Sequence, residues 1–165
     1  MTKRKSRGFT LIELIVTIAI VAIVALLGVP GMNALLRDMS ARADSNTLLS
    51  SITLARSEAI KRGSWIWVSP HNNADWQAGW AVWLDDGDHS FNSSKDTQLR
   101  HFDAIESIIH TAPSRLAIAA DGSLAVPTSS TDFSLSPSGC QNDEQRSLHI
   151  AVSGRASLSR VTCGS

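Results

Sequence analysis

One carboxylate, two cysteines, five histidines, a cluster of aspartates and a run of tryptophans are the residues of this chain whose types could do chemistry. His71, His89, His101, His110 and His149 are scattered, and no serine stands in a G-x-S-x-G nucleophile elbow. Catalysis therefore has little support, and neither an enzyme activity, a cofactor nor a metal is expected. Asp85, Asp86, Asp88, Asn92 and Asp96 offer hard oxygen donors at alternating positions, as calcium prefers. The EF-hand pattern fails, because Phe91 stands where the sharp-turn glycine belongs and the final bidentate Glu is missing, so the expectation is a solvated acidic loop. Trp65, Trp67, Trp76, Trp80 and Trp83 could form an aromatic ligand platform, but strand alternation puts Trp80, Val82 and Leu84 on one face and Trp83 on the other. Core packing is the expected use of these rings.

The isolated carboxylate is Glu13. From Phe9 to Val29 the chain reads "FTLIELIVTIAIVAIVALLGV", with one charge in a stretch that would span about 31 Å as a helix. A secretory signal has a shorter apolar core and a small-residue cleavage site, and a lipoprotein signal would place a Cys just after the run. Neither is present, so a retained membrane anchor is expected. Lys3, Arg4, Lys5 and Arg7 precede the run and no basic residue follows until Arg37, which keeps the amino end in the cytoplasm. The rest of the chain then lies in an oxidising compartment, where Cys140 and Cys163 are expected to form a disulfide. The alternatives are two free thiols, or half a metal site with His149. The formal charge of zero conceals an asymmetry, since residues 9–165 hold 11 of the 15 basic groups and all 15 acidic ones. Any nucleic-acid role must come from a local patch, because the field of the whole would repel phosphate.

The elements that must position these residues follow from periodicity. Pro30 cannot donate a helical hydrogen bond, so a helix there should kink or loosen without ending. Leu48, Ile52, Ala55 and Ala59 recur as one buried stripe, and Lys61, Arg62 and Gly63 supply the last turn and its cap. This predicts a helix over 9–62 of two unlike halves, 9–31 membrane-spanning and 32–62 amphipathic. Beyond it, "WIWV", "GWAVWL", "SIIH", "RLAIA", "SLAVP", "FSLS", "LHIAVS" and "RASLSRV" read as strands, with hairpin turns at Asp121-Gly122 and Ser153-Gly154. The expected fold class is α+β: a long amino-terminal helix packed on an antiparallel β-sheet domain, 63–165, whose carboxy-terminal hairpin is closed by Cys140 and Cys163.

The basic leader, Gly8, Phe9, Glu13 and the apolar helix, in the pattern "KSRG|FTLIEL", resemble the prepilin class of type IV pilins and pseudopilins. "LARSEAIKRG", "WQAGWAVWLDDGD" and "SLHIAVSGRASL" resemble the FimT/GspH family of minor pilins and pseudopilins, so that the likeness covers nearly the whole chain. It implies removal of leader 1–8 by a prepilin peptidase that cuts after Gly8, and methylation of the new amino group on Phe9. A glycine suits a protease that must accept extended backbone. It also implies an inner-membrane protein with a periplasmic carboxy-terminal domain, built into a filament with other pilins. An ionised carboxylate in hydrocarbon costs at least about 2.5 kcal/mol, and pairing Glu13 with a neighbouring subunit's Phe9 amine would relieve this and set axial register. The function implied is a minor pilin that primes or caps a type IV pilus. The alternatives are the minor pseudopilin H of type II secretion and a pilus-tip DNA receptor in natural transformation. DNA binding in this family is tied to a "GRxR" strand motif; here Gly154, Arg155, Ala156 and Ser157 stand there, with Ser157 replacing the second arginine. Arg146 and Arg160 could join Arg155 on the same hairpin.

Overall fold

The computed structural model describes residues 9–72, 74–140 and 144–164; the side chains of 26–31, 33 and 34 are also outside the description. One helix, α1, runs over Leu11–Arg62, continuous in its backbone through Pro30. The chain divides into one unit ending at Leu36 and a second that begins at Arg37.

In the second unit, Ala41, Ser45, Leu48, Ile52, Ala55 and Ala59 of α1 are all fully buried. Their alternation of four- and three-residue steps is the 3.6-residue period expressed as one stripe. The helix ends as its sequence predicts. Gly63 adopts φ +62°, and the N–H groups of Gly63 and Ser64 both donate to the Ala59 carbonyl, at 2.9 and 3.3 Å.

Among the described residues nine strands follow, and they form two antiparallel sheets rather than the single sheet expected. The first has the order β3-β2-β1-β5-β6, from β1 (Ile66–Asn72), β2 (Asp75–Leu84), β3 (Thr97–Phe102), β5 (Leu116–Ile118) and β6 (Leu124–Val126). The second has the order β4-β7-β8-β9, from β4 (Ile108–Thr111), β7 (Thr131–Ser136), β8 (Gln145–Ile150) and β9 (Ala156–Val161). Alternation tells which face of a strand is buried but not which strand lies beside it. Both sheets turn an apolar face to the same helix stripe: Ile66, Val68, Trp80, Val82, Leu116 and Ile118 from one, Phe133, Leu135, Leu148 and Ile150 from the other. Strand β3 escapes the sequence patterning because, as an edge strand, it carries only Leu99 and Phe102 as apolar residues.

Both expected hairpins form, β5–β6 and β8–β9. In each turn only the glycine takes a positive φ, Gly122 at +83° and Gly154 at +73°, so Asp121 contributes by a different route. Its carboxylate accepts hydrogen bonds from the N–H and hydroxyl of Ser123, at 2.8 and 2.6 Å. A disulfide joins Cys140 to Cys163, with Cα atoms 5.9 Å apart, and ties the end of β9 to the approach to β8. The free-thiol and His149 metal alternatives are thereby replaced.

Candidate functional site

In the unit ending at Leu36, the apolar side chains from Phe9 to Val24 stand exposed at every angle around the helix, Phe9 at 78%. Soluble packing never leaves a helix bare on all sides, so this segment is made to be covered by lipid or protein. Glu13 sits in its first turn. The Thr10 N–H donates to Glu13 Oε2 at 3.5 Å, and the Glu13 N–H donates to Thr10 Oγ1 at 3.3 Å. This reciprocal pair is a capping box, which satisfies two amide donors that no helical carbonyl can reach. The T-L-I-E spacing is its sequence signature, a use of Glu13 not among those expected from the sequence. Leader residues 1–8, Gly8 among them, lie outside the described residues, as do the side chains of 26–31 in the expected span. Among the described residues, no helix is long and apolar enough to cross a membrane.

The structure does not gather Arg146, Arg155 and Arg160 into one surface. Arg146 is withdrawn from it altogether. Its side chain is 5% exposed and its Nη2 pairs with Asp38 Oδ1 of α1, while Asp38 Oδ2 takes Arg42 at 2.6 Å. The physical reason is parity: Arg146 shares its strand face with Leu148 and Ile150, which enter the core. Arg160 lies directly across from it on β9, so the two share a side of the sheet. Arg155 belongs to the turn and is exposed. The hydrogen bond from Arg42, aided by the charge of Arg146, holds the Asp38 carboxyl below its ordinary range against the opposing effect of burial.

The acidic loop is exposed over most of its length, as expected, but the carboxylates near its two ends are turned inward. Asp85 and Asp96 are both 7% exposed. Asp85 Oδ1 accepts the Trp67 indole N–H at 3.0 Å, and Oδ2 accepts the N–H groups of Gly87 and His89, at 2.9 and 3.2 Å. Asp96 accepts those of Asp86 and Asn92. The loop folds back on these carboxylates and lays the Phe91 ring against Trp67 and Trp83, with Arg115 4.7 Å above Phe91. Oxygens of Asp85, Asp86 and Asp96 lie within 4.8 Å of one another, but those of Asp85 and Asp96 already serve the loop's own amides. Two of the five tryptophans fill the core: Trp76 and Trp80 are buried, their indole N–H groups bonded to Pro113 O and Ser51 Oγ. The His71 and His101 rings stack with centroids 4.4 Å apart and His101 also pairs with Asp103, while His110 bonds Ser136 and His149 bonds Asp132 elsewhere.

Comparison with protein-family models matches residues 44–156 to the family described as type II transport protein GspH, and residues 3–29 to the prokaryotic N-terminal methylation motif. A search of curated proteins finds no match. Among solved structures, the type IV minor pilin FimU of Pseudomonas aeruginosa is similar in two crystal forms. One superposes with a TM-score of 0.60 at 23% identity, covering 75% of this chain and 98% of that one. The other gives 0.59 at 22%, covering 82% and 98%. The minor pseudopilin EpsH of Vibrio cholerae follows at 0.49 and 18%, covering 76% and 99%.

Proposed function

Because the chain belongs to the family of the type II transport protein GspH, we propose that it is a minor pilin that primes or caps assembly of a type IV pilus. Family membership makes it a structural subunit of the pilin and pseudopilin type, processed through its methylation motif by a prepilin peptidase and assembled with other pilins. The reading beyond that rests on one observation: a helix segment apolar on all sides that carries a single carboxylate in its first turn.

The physical sequence of events starts with the segment in the inner membrane, its amino end cytoplasmic and its β domain periplasmic. Among the described residues Glu13 has only the capping box there, whose N–H contact at 3.5 Å is long and supplies no opposite charge. Cleavage after Gly8 gives Phe9 a basic amine. That amine, pairing with a neighbouring subunit's Glu13, would neutralise the carboxylate inside the apolar filament core, where an uncompensated charge costs at least about 2.5 kcal/mol. Register follows, because one amine and one carboxylate per subunit can all be satisfied only at one axial step.

Mass spectrometry of the membrane-extracted protein tests the processing: residues 1–8 should be gone and Phe9 methylated, and an intact leader would sink the reading. Deleting the gene tests the machine. Loss of twitching with secretion intact supports the pilus role, whereas loss of secretion alone assigns the chain to the type II pseudopilus.

A further inference from the structure

The two sheets touch at a junction of two turns. One turn holds Gly122, between β5 and β6; the other holds Gly154, between β8 and β9. A Cβ on Gly154 would overlap the carbonyl oxygen of Gly122, and one on Gly122 would stand 2.7 Å from Ile60 Cδ1. The Leu124 N–H donates to Val152 O at 2.8 Å, and Arg56 Nε donates to Gly122 O at 3.1 Å, so helix and both hairpins are locked together.

What this junction shows to solvent has no use in the fold. Among the described residues after Met39, the exposed large apolar side chains are Ile60, Ile108 and Val152, and two of these three flank this one junction, 54% and 51% exposed. Beside them Arg155 is exposed and forms no ion pair among the described residues. The other charges nearby are occupied, Arg56 by the Gly122 carbonyl. Asp121 holds Ser123, and Lys61 and Arg62 hold Glu58.

We propose that this junction is a docking surface for a neighbouring pilin-type subunit, which covers Ile60 and Val152 with an apolar patch and sets a carboxylate against Arg155. The inference rests on the filament-subunit reading and adds to it a contact made by the β domain, distinct from the helix core. Charge complementarity selects the partner. An exposed arginine adjoining Gly154, at a junction that also bares two aliphatic side chains, suits one carboxylate set in apolar surface, the arrangement of an interface hot spot with a satisfied charge. Nucleic acid would need several free cations at phosphate spacing, yet Arg56, Lys61 and Arg62 are engaged within the fold, Arg146 is buried, and Arg160 lies five residues farther along, about 16 Å at strand rise and on the other parity.

A photoreactive residue replacing Val152 in the full-length chain, activated in native membranes, tests this. The expected adduct is to another pilin-type subunit, recognised by mass spectrometry from its methylated amino terminus. Arg155→Glu should cut its yield about tenfold and Arg155→Gln less, as for a desolvated ion pair, while Arg160→Glu changes it less than about twofold. These exposed substitutions should keep the wild-type melting temperature, which separates lost docking from lost folding. No adduct from Val152, with one still formed from a probe at Ile12, overturns the docking surface and leaves the filament reading standing; no adduct from either overturns both. An adduct only to a second copy of this chain, or to DNA, also overturns it.

Discussion

Replacing Gly154 with alanine tests how much of the fold depends on the junction of the two turns. Two costs add. The backbone there has φ +73°, which a side chain tolerates at about 1 kcal/mol. The new methyl would also overlap the Gly122 carbonyl oxygen, a backbone atom that cannot swing aside, so the turns must separate by roughly 1 Å to restore van der Waals distance. That separation breaks the Leu124–Val152 amide bond and strains the charged hydrogen bond from Arg56 to Gly122 O, worth about 1 and about 1.5 kcal/mol. The expected loss is therefore about 3 kcal/mol, a large part of the 5–15 kcal/mol that domains typically have. Gly139→Ala is the internal control. Its φ is +69° and nothing lies within 4 Å of an added Cβ, so it carries the backbone cost without the clash. Urea unfolding of the detergent-solubilised protein, followed by the fluorescence of its tryptophans, should separate the two variants by about 2 kcal/mol. Equal stabilities for Gly154→Ala and Gly139→Ala would refute the junction as a lock.

Three further outcomes are expected. Asp38→Ala should cost about 3 kcal/mol, because it strands the Arg146 guanidinium inside the protein, whereas Arg146→Met, which leaves Asp38 paired with Arg42, should cost under about 1.5 kcal/mol; equal losses in urea unfolding would contradict this asymmetry. Since the folded protein holds the Asp38 carboxyl below its ordinary value of 3.8, the unfolded chain binds a proton there first on acidification. Stability from this group is then fully present above that value and is lost as pH falls through the lower folded one, so the melting temperature should drop more steeply below about pH 4 in the wild type than in Asp38→Asn. Reduction of the Cys140–Cys163 disulfide, with 23 residues of separation, should lower stability by about 3 kcal/mol in the loop-entropy description, and an unchanged melt in reductant would dismiss that contribution.

Local periodicity made α1, its cap and both hairpins legible, because each is decided within a few residues. The stripe Leu48, Ile52, Ala55 and Ala59 and the turn glycines Gly122 and Gly154 carry that information themselves. Pairing of sheets is a long-range outcome. The strand "FSLS" shows that Phe133 and Leu135 are buried, but nothing local says that β7 lies between β4 and β8 in a sheet apart from β1. The inward turn of Asp85 and Asp96 in the otherwise exposed acidic loop was illegible for a related reason: composition reports that carboxylates are present, not whether water or the chain's own amides will satisfy them. In Asp85 and Asp96 the chain wins, since a turn-rich loop leaves many N–H groups without carbonyl partners.

Arg146 and Arg155 show where the same sequence did hold the answer. Grouped by residue type, they looked like one basic surface; sorted by strand parity, Arg146 falls with Leu148 and Ile150 and must enter the core, where only a carboxylate such as Asp38 makes it tolerable. Gly154 and Arg155, adjacent in the chain, divide likewise. The glycine is consumed by the contact with Gly122, so its presence is explained without any ligand. The side chain of the arginine beside it forms no ion pair among the described residues, in a protein that pairs Asp38, Glu58 and Asp88 with cations, and it shares its turn with exposed Val152. A charge and an apolar group left bare together are what a protein surface retains for another protein, and this makes the tip of the β8–β9 hairpin, rather than its strands, the place to look for the next subunit.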